Sequence, residues 1–204
     1  MDVFVPFDAR EPKTRLAPVF DADERREFAR VMLGDVCETI AATGREPTVL
    51  STTDIDTRWP VVIDDRSLSD GVNGAIADSD QAVAVIMADL ALATPESLER
   101  VFAADGDVVF VPGRGGGTNV VFTRRSDFRV DYHGVSIHDH RQQAAAIGTQ
   151  PTTVDSFRLA TDIDEPVDLP EVLLHSDRAA ASWLRERDIT ITVSGGRVTI
   201  DRGT

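Results

Sequence analysis

The stretch Ala82-Val-Ala-Val-Ile-Met-Ala-Asp89 is the most apolar run of this 204-residue chain, and it ends in a carboxylate. Short apolar runs bounded by turn or charged residues are typical of strands that are buried on both faces of a parallel sheet. The same pattern recurs in residues 3–5, 48–50, 61–63 and 108–111. The sequence therefore predicts a sheet of buried strands, with Asp89 at the point where one strand emerges.

Helical patterns separate these runs. The segment between the first two strands has apolar residues at helical spacing: Phe28, Val31, Met32, Val36 and Ile40. Thr94-Pro95-Glu96 has the cap and the first-turn proline of a helix that we expect to end near Ala103. Strands that alternate with helices through short loops predict one three-layer α/β domain over residues 1–204, with a mainly parallel sheet.

The pattern changes after residue 112. We expect extended segments near residues 120–122 and 128–132, and a helix over residues 142–147. Ser176 is a candidate cap for a helix through residues 183–187, and residues 189–200 predict a terminal hairpin that turns at residues 194–196. In domains of this kind, ligands bind at the carboxyl ends of the strands.

The charge of the chain excludes one class of function. Its 35 acidic and 21 basic side chains give a net charge of -14, which argues against nucleic acid held on a broad basic face. Lys13 is the only lysine, and aspartate is far commoner than glutamate. This composition resembles that of haloarchaeal proteins, in which salt screens the repulsion within a dense shell of carboxylates.

The sequence also predicts a cytoplasmic location. Cys37 is the only cysteine, so an intramolecular disulfide is excluded, and this usage is typical of a reducing compartment. No apolar run approaches the roughly 20 residues that cross a bilayer. We therefore expect an intracellular protein that does not use a membrane as its partner.

Two groups of carboxylates are candidate ligands of a hard cation. Asp89 ends a buried strand, whereas Asp162 and Asp164 are alternate residues of an extended segment, so that both side chains can point the same way. Mg²⁺ prefers one or two carboxylates together with phosphate oxygens and water. A turn-capping aspartate and a solvated acidic loop are the alternatives, and only the pairing of the two groups favours a metal site.

Two segments are candidate phosphate sites. In Pro112-Gly-Arg-Gly-Gly-Gly-Thr-Asn119 the main-chain N–H groups of Gly115, Gly116 and Gly117 can approach an anion, and Thr118 adds a hydroxyl. The segment lacks the Lys-Ser/Thr of a P-loop. Lys13 and Arg15 follow the first strand, where polyphosphate is a candidate ligand. A flexible loop and a surface turn are the respective alternatives.

A third segment lies at the junction of a loop and a helix. Asp70 and Asn73 follow the third strand, and both a nucleoside site and an ordinary helix cap are open interpretations there. Ser136 is a candidate phosphate contact, and a role as a hydrolase nucleophile is disfavoured because it lacks the glycine-flanked elbow. The histidines around Ser136 lack the spacing of a zinc site, so we predict no metal there: His133, His138 and His140.

Taken in order, the motifs of the chain resemble one enzyme family. They are Lys13-Thr-Arg-Leu-Ala17, Asp70-Gly-x-Asn-x-Ala-Ile76, Met87-Ala-Asp-Leu-Ala-Leu92, Pro112-Gly-x-Gly-Gly-Gly-Thr-Asn119, Tyr132-x-Gly-x-Ser-x-x-x-His140 and Asp162-Ile-Asp-x-Pro-x-Asp-Leu169. Their ordered combination covers most of the chain and resembles the 2-phospho-L-lactate guanylyltransferases of coenzyme F420 biosynthesis.

The resemblance implies a nucleotidyltransferase domain similar to the glycosyltransferase-A fold. It implies that 2-phospho-L-lactate attacks the α-phosphorus of GTP, giving lactyl-2-diphospho-5'-guanosine and pyrophosphate. In this reading Mg²⁺ is held by Asp89, Asp162 and Asp164, and Lys13 and Arg15 offset charge on the departing pyrophosphate. The residues that cradle the acceptor are Gly115, Gly116, Gly117, Thr118 and Ser136.

Two segments depart from the family pattern. The family commonly has a lysine two residues after the proline that ends the first strand, and this chain has Pro6-Phe7-Asp8 there. The family usually has a run of small residues beginning with glycine before the serine, and this chain has Tyr132-His133-Gly134-Val135 before Ser136. A nucleotidyltransferase of the same fold with another acceptor (phosphoenolpyruvate, molybdopterin or a sugar phosphate) is one alternative. A non-catalytic nucleotide-binding protein is another, and a homodimer is left open as the oligomeric state.

Overall fold

The computed structural model describes residues 1–203, so the predicted domain end at residue 204 lies outside the described residues. In chain order its elements are β1 (Asp2–Phe7), α1 (Ala22–Ala42), β2 (Pro47–Ser51), β3 (Val61–Ile63), α2 (Leu68–Asp78), β4 (Val83–Ile86), α3 (Pro95–Phe102), β5 (Val108–Pro112), β6 (Thr118–Thr123), α4 (Ser136–Ala146), β7 (Thr152–Thr153), α5 (Phe157–Ala160), α6 (Leu169–His175), α7 (Ala179–Arg185), β8 (Ile189–Ser194) and β9 (Arg197–Arg202).

Seven strands form one sheet in the order β3-β2-β1-β4-β6-β5-β7. Four neighbouring pairs are parallel, and β6 alone runs antiparallel to its neighbours β4 and β5. The reversal follows from the chain itself, because a short glycine turn joins β5 directly to β6. The predicted α/β fold with a mainly parallel sheet is confirmed.

Helices cover both faces of this sheet. In β4, Ala84 and Ile86 pack against α1 and α3, whereas Val83 and Val85 pack against α2 and α4. Successive side chains of a strand point to opposite faces, so an unbroken apolar run buries both. The three layers therefore follow from the same apolar run that Asp89 ends.

A third cluster of apolar residues lies on the outer side of α1. Phe28 and Met32 of α1 pack there with Trp183 of α7 and with Leu16, which belongs to a short 3-10 turn over Thr14–Leu16. The hairpin β8–β9 begins in this cluster at Ile189, which is fully buried. The predicted terminal hairpin is confirmed.

Two helix starts follow their sequence signals. Thr94 caps α3, and its side chain accepts a hydrogen bond from the N–H of Ser97, as predicted from Thr94-Pro95-Glu96. Asp21 caps α1 in a reciprocal pair with Glu24. No helix described within residues 1–203 is long and apolar enough to cross a membrane.

Three local predictions need correction: an extended segment pairs with no strand, a predicted helix is present but starts earlier, and a predicted helix cap is wrong. Residues 128–132 do not form a strand, because the main chain of Val130 bonds the side chain of Asn73 instead of a neighbouring strand. Helix α4 begins at Ser136, earlier than expected. Helix α7 is not capped by Ser176: the carboxylate of Asp35, on α1, accepts the N–H groups of Ala179 at 3.1 Å and Ala180 at 2.8 Å.

Candidate active site

A cluster of ion pairs, buried at Lys13 and exposed at Arg15, lies where β1 and β4 end. Lys13 Nζ is 2.6 Å from Asp89 Oδ2 and 3.4 Å from Asp164 Oδ1, and Arg15 Nη1 is 2.7 Å from Asp164 Oδ2. The two strands are parallel neighbours, so their carboxyl ends share one edge of the sheet. We call these four residues the Lys13 cluster; it unites residues that the sequence placed in two separate candidate sites.

Burial sets the electrostatics of the Lys13 cluster. The side chain of Lys13 is only 11% exposed. This burial acts to lower the pKa of Lys13, but the charges and hydrogen bonds of Asp89 and Asp164 outweigh it, and the pKa is raised above its ordinary value of 10.5. Lys13 is therefore a fixed positive charge at neutral pH.

Asp89 has one oxygen that the protein leaves unused. Its Oδ2 pairs with Lys13, whereas its Oδ1 is buried and has no hydrogen-bond partner within residues 1–203. A buried oxygen of a carboxylate without a partner is costly unless a ligand supplies one. Such an oxygen, on a carboxylate that shares the Lys13 ammonium with Asp164, is the hard-oxygen type of ligand that Mg²⁺ takes.

The two aspartates of the 162–164 segment have different partners. Asp164 joins the Lys13 cluster, whereas Asp162 Oδ1 accepts a hydrogen bond from Asn119 Nδ2 at 3.1 Å. Between them, the N–H of Ile163 donates to the carbonyl of Asp89 at 3.2 Å, which fastens the segment beside β4. Within residues 1–203 no three carboxylate, imidazole or thiol groups are arranged to hold one metal ion.

Asp168 and Arg114 support this segment, and sequence analysis gave neither of them this role. Asp168 Oδ2 accepts the N–H groups of Asp164 at 3.1 Å and Glu165 at 2.8 Å, and its Oδ1 accepts a hydrogen bond from the Arg114 guanidinium. Asp168 is buried. Its place in the Asp-x-Pro-x-Asp spacing was the available signal, since an aspartate next to a proline turn commonly accepts nearby N–H groups.

The glycine segment is a tight turn between β5 and β6. Gly113 N–H donates to the carbonyl of Gly117, and Gly116, at φ +85°, donates to the carbonyl of Gly113. A methyl group added at Gly115 or Gly117 would meet nothing within 4 Å. The turn therefore presents main chain to open space at the same sheet edge as the Lys13 cluster.

Thr118 and Ser136 lie behind this turn, in the protein interior. Each is 3% exposed, and their hydroxyls are 3.3 Å apart. The Thr118 hydroxyl is also 2.9 Å from Nδ1 of the fully buried His140, and burial lowers the pKa of His140 to about 4. His140 is therefore neutral at pH 7, and it fixes the Thr118 hydroxyl.

Asp70 and Asn73 are bound to the protein itself. Asp70 lies in the first turn of α2, where its Oδ2 accepts a hydrogen bond from Ser67 Oγ at 2.6 Å. The Asn73 amide donates to the carbonyl of Val130 at 3.0 Å and accepts its N–H at 2.8 Å. Their predicted contact with a nucleoside stays a prediction, and in this structure both side chains organise the protein.

Two adjoining cavities open at the ends of β1, β2 and β4. The first has a volume of about 260 Å³ and is lined by Lys13 and Asp89. The second has about 340 Å³ and is lined by Asp64, Arg66 and Ser67. Both cavities also share four lining residues: Pro6, Phe7, Asp8 and Met87. Together they form one groove. Its charged end is the first cavity, with Lys13 and Asp89, and its second compartment is the second cavity, with Asp64, Arg66 and Ser67.

Sequence analysis did not select the residues of the second compartment. Asp64 and Arg66 form an ion pair at 2.5 Å directly after β3. Their position at a strand end was the signal that could have found them. Asp8, which lines both cavities, accepts hydrogen bonds from Thr52 Oγ1 at 3.0 Å and from the N–H of Arg10 at 3.1 Å.

Comparison with known proteins assigns the chain to a family. A family model described as guanylyl transferase CofC like matches residues 1–201. The chain belongs to this family. The 2-phospho-L-lactate guanylyltransferase of Halomicrobium mukohataei is 59% identical to it, over 99% of this chain and 100% of the relative. That of Natronomonas pharaonis is 52% identical over 99% of each chain.

Solved structures support the fold. A nucleotide-diphospho-sugar transferase candidate from Desulfovibrio desulfuricans G20 superposes with a TM-score of 0.76 at 15% sequence identity, over 92% of this chain and 96% of that one. At such low identity the likeness concerns the fold alone. The family match, and not the fold, makes this CofC-like chain a nucleotidyltransferase of the guanylyltransferase class, as the order of its motifs predicted.

Proposed function

We propose that this protein transfers GMP from GTP to 2-phospho-L-lactate, giving lactyl-2-diphospho-5'-guanosine and pyrophosphate in coenzyme F420 biosynthesis. The observation that carries the proposal is the Lys13 cluster beside a two-compartment groove, in a chain 59% identical to an enzyme of that name. A buried ammonium next to carboxylates offers separate places for phosphate oxygens and for a cation.

The reaction needs no base from the protein. An oxygen of the acceptor phosphate forms a bond to the α-phosphorus of GTP, while the bond from that phosphorus to the bridging oxygen breaks and its electron pair leaves with pyrophosphate. A phosphate monoester is already anionic at pH 7 and is therefore a competent nucleophile. Catalysis then consists of positioning and neutralisation of charge.

The basic residues of the Lys13 cluster act on the leaving group. Lys13 is buried and permanently charged, so its ammonium interacts strongly with the oxygens that gain charge as pyrophosphate departs. Arg15 is 67% exposed and adds a second charge at the rim. The neighbouring compartment, lined by Asp64, Arg66 and Ser67, takes the nucleoside.

The acceptor phosphate binds at the glycine turn. Gly115 and Gly117 leave space for an anion to approach the main chain, and α4 begins nearby at Ser136, where helical N–H groups favour negative charge. The hydroxyls of Thr118 and Ser136 are buried behind the turn and bonded to His140 and to each other. In this proposal they keep the glycine turn, which forms one side of the acceptor site, in position.

Asp89 and Asp164 would hold Mg²⁺, and Asp162 would join them by turning away from Asn119, because the three carboxylates do not surround one point in this structure. The unpartnered Oδ1 of Asp89 and the carboxylate of Asp164 on the same ammonium fit that ion. When bound, the ion supplies neutralisation of the phosphate charge between the two substrates. We also propose that the protein is cytoplasmic and works at high salt, which the single cysteine and the charge of -14 support.

The decisive experiment measures pyrophosphate release in molar KCl. Each nucleoside triphosphate is paired with 2-phospho-L-lactate, phosphoenolpyruvate and 3-phosphoglycerate, with a sugar phosphate and molybdopterin as further acceptors. We expect release to be fastest with GTP and 2-phospho-L-lactate. Faster release with another acceptor would overturn the proposed substrate, and no release with any pair would overturn the proposed reaction.

A further inference from the structure

The Lys13 ammonium lies between the two carboxylates that the proposed function gives to a metal ion. It is 2.6 Å from Asp89 Oδ2 and 3.4 Å from Asp164 Oδ1. Its side chain is nearly buried, and its charge offsets that of Asp89, while Asp164 pairs also with the more exposed Arg15 at 2.7 Å. A protein cation thus occupies the centre of the carboxylate pair.

The backbone of Lys13 is held in a conformation that favours this contact. Lys13 has φ 56° and ψ 41°, a left-handed geometry that only two non-glycine residues within residues 1–203 adopt. The 3-10 turn after it is anchored by the fully buried Leu16. Strained backbone of this kind persists where the surroundings impose it, and it is common at functional sites.

Two cations cannot share this position. In a partly desolvated site, an ammonium and a divalent ion on the same carboxylates repel strongly, because little solvent screens them. We propose that Lys13 is an internal stand-in cation, which keeps a divalent metal ion off Asp89 and Asp164 until the phosphates of a nucleoside triphosphate draw the ammonium away. Metal and nucleotide then enter together.

The contacts around Lys13 favour this exchange. Nucleotide phosphates carry more negative charge than a single carboxylate, so they compete well for the ammonium. Its withdrawal frees Asp89 Oδ2 beside the unpartnered Oδ1, which leaves a complete carboxylate for the metal. Lysine suits this role better than arginine, since its ammonium is a compact point charge on a flexible stem. Lys13 is also the only lysine of the chain, among 21 lysine and arginine residues in all.

The first test compares Mn²⁺ affinity without nucleotide, measured by electron paramagnetic resonance in molar KCl. We expect Lys13→Met to bind Mn²⁺ at least tenfold more tightly than the wild type, whereas Lys13→Arg, which keeps the charge, binds as weakly as the wild type. Arg58→Met is the matched control, because it removes a positive charge from an exposed pair with Glu38. Its Mn²⁺ affinity should not change.

The second test uses the wild-type protein, and so it does not depend on whether Lys13→Met folds. Because Lys13 is the only lysine, incorporation of lysine labelled with ¹³C at Cε gives one NMR signal from the whole chain. We expect this signal to shift with saturation as Mg²⁺ is added alone, and to shift at far lower Mg²⁺ once GTP is present. A signal unmoved while Mg²⁺ saturates its site would overturn the inference.

The inference rests on the proposed metal role of Asp89 and Asp164, and the two fail differently. Equal Mn²⁺ affinity in the wild type and Lys13→Met overturns the stand-in role alone. Equal affinity with a lower melting temperature for Lys13→Met also overturns it, since Lys13 would then only stabilise the fold. Absence of saturable Mn²⁺ binding in every variant overturns the metal assignment itself, whereas the reaction is judged separately by pyrophosphate release.

Discussion

The carboxylate of Asp168 holds the main chain of Asp164, with its Oδ2 3.1 Å from the Asp164 nitrogen. The same oxygen accepts the N–H of Glu165, and the other oxygen pairs with Arg114 in the glycine turn. Asp168 thus joins the segment proposed to bind metal to the segment proposed to bind the acceptor. It contacts neither substrate in the proposed mechanism and acts through its neighbours.

Asp168→Asn should therefore loosen the position of Asp164. An asparagine keeps only one accepting oxygen, so the side chain loses either the bonds from the N–H groups of Asp164 and Glu165 or the charged bond from Arg114, and each lost bond in a buried site costs about 1–3 kcal/mol. We expect the Mg²⁺ concentration for half-maximal turnover to rise at least tenfold. Asp177→Asn, at a fully exposed carboxylate, is the control. Lower stability with an unchanged Mg²⁺ requirement would show a purely structural role.

Asp89→Asn and Asp164→Asn should each reduce turnover by on the order of 10²-fold or more, because the amide keeps the shape but loses the charge that attracts a cation. Asp162→Asn is the informative comparison, since Asp162 is bonded to Asn119 and lies outside the Lys13 cluster. We expect a loss of similar size if Asp162 turns to the metal. Turnover rates at saturating and at limiting Mg²⁺ show whether Asp162 is a metal ligand. Full activity of Asp162→Asn under both conditions would exclude it from the metal site.

The buried His140 should make stability depend on pH. Burial lowers the pKa of His140 to about 4, below the ordinary 6.5 of the unfolded chain. Between these values the unfolded state binds the proton more strongly, so stability falls as pH drops from 6.5 to 4, by on the order of 2–3 kcal/mol. Unfolding free energies of the wild type and His140→Gln, which cannot titrate, should converge as the pH falls through this window.

A matched control for this effect is His133→Gln. His133 is exposed and bonded to Asp131, which raises its pKa, so its contribution has the opposite sign and should be small at an exposed site. If the difference between the wild type and His140→Gln stayed constant from pH 6.5 to 4, the imidazole of His140 would not be buried in the neutral form.

Salt should stabilise the protein strongly. With a net charge of -14, repulsion between surface carboxylates falls as the Debye length shrinks from about 10 Å at 0.1 M to about 3 Å at 1 M. We expect the melting temperature to rise steeply with KCl. A variant with three exposed acids neutralised, Asp54→Asn, Asp56→Asn and Asp80→Asn, should need less salt for the same melting temperature. A melting temperature independent of KCl would contradict the halophilic interpretation.

Local patterns in the sequence determined much of this protein. The apolar run before Asp89 predicted a strand buried on both faces, and Thr94-Pro95-Glu96 predicted the start of α3. Both features depend on neighbours within a few residues, since side-chain alternation and helix capping are properties of short segments. The order of the motifs also identified the family.

Only the tertiary structure decided which side chains meet. Lys13 and Asp164 are 151 residues apart, and their contact depends on how the 162–164 segment packs beside β4. By their spacing alone, Asp162 and Asp164 are equivalent. In the structure, Asn119 donates a hydrogen bond to Asp162, whereas Lys13 donates one to Asp164.

The same limit applies to other polar side chains. Asn73 carries the features of a ligand residue, yet its amide bonds the main chain of Val130, and α7 takes its cap from Asp35 on a distant helix. A side chain satisfies its hydrogen bonds with whatever partner packing brings within reach. That partner is fixed by burial of distant apolar segments against one another, which no short stretch of sequence encodes.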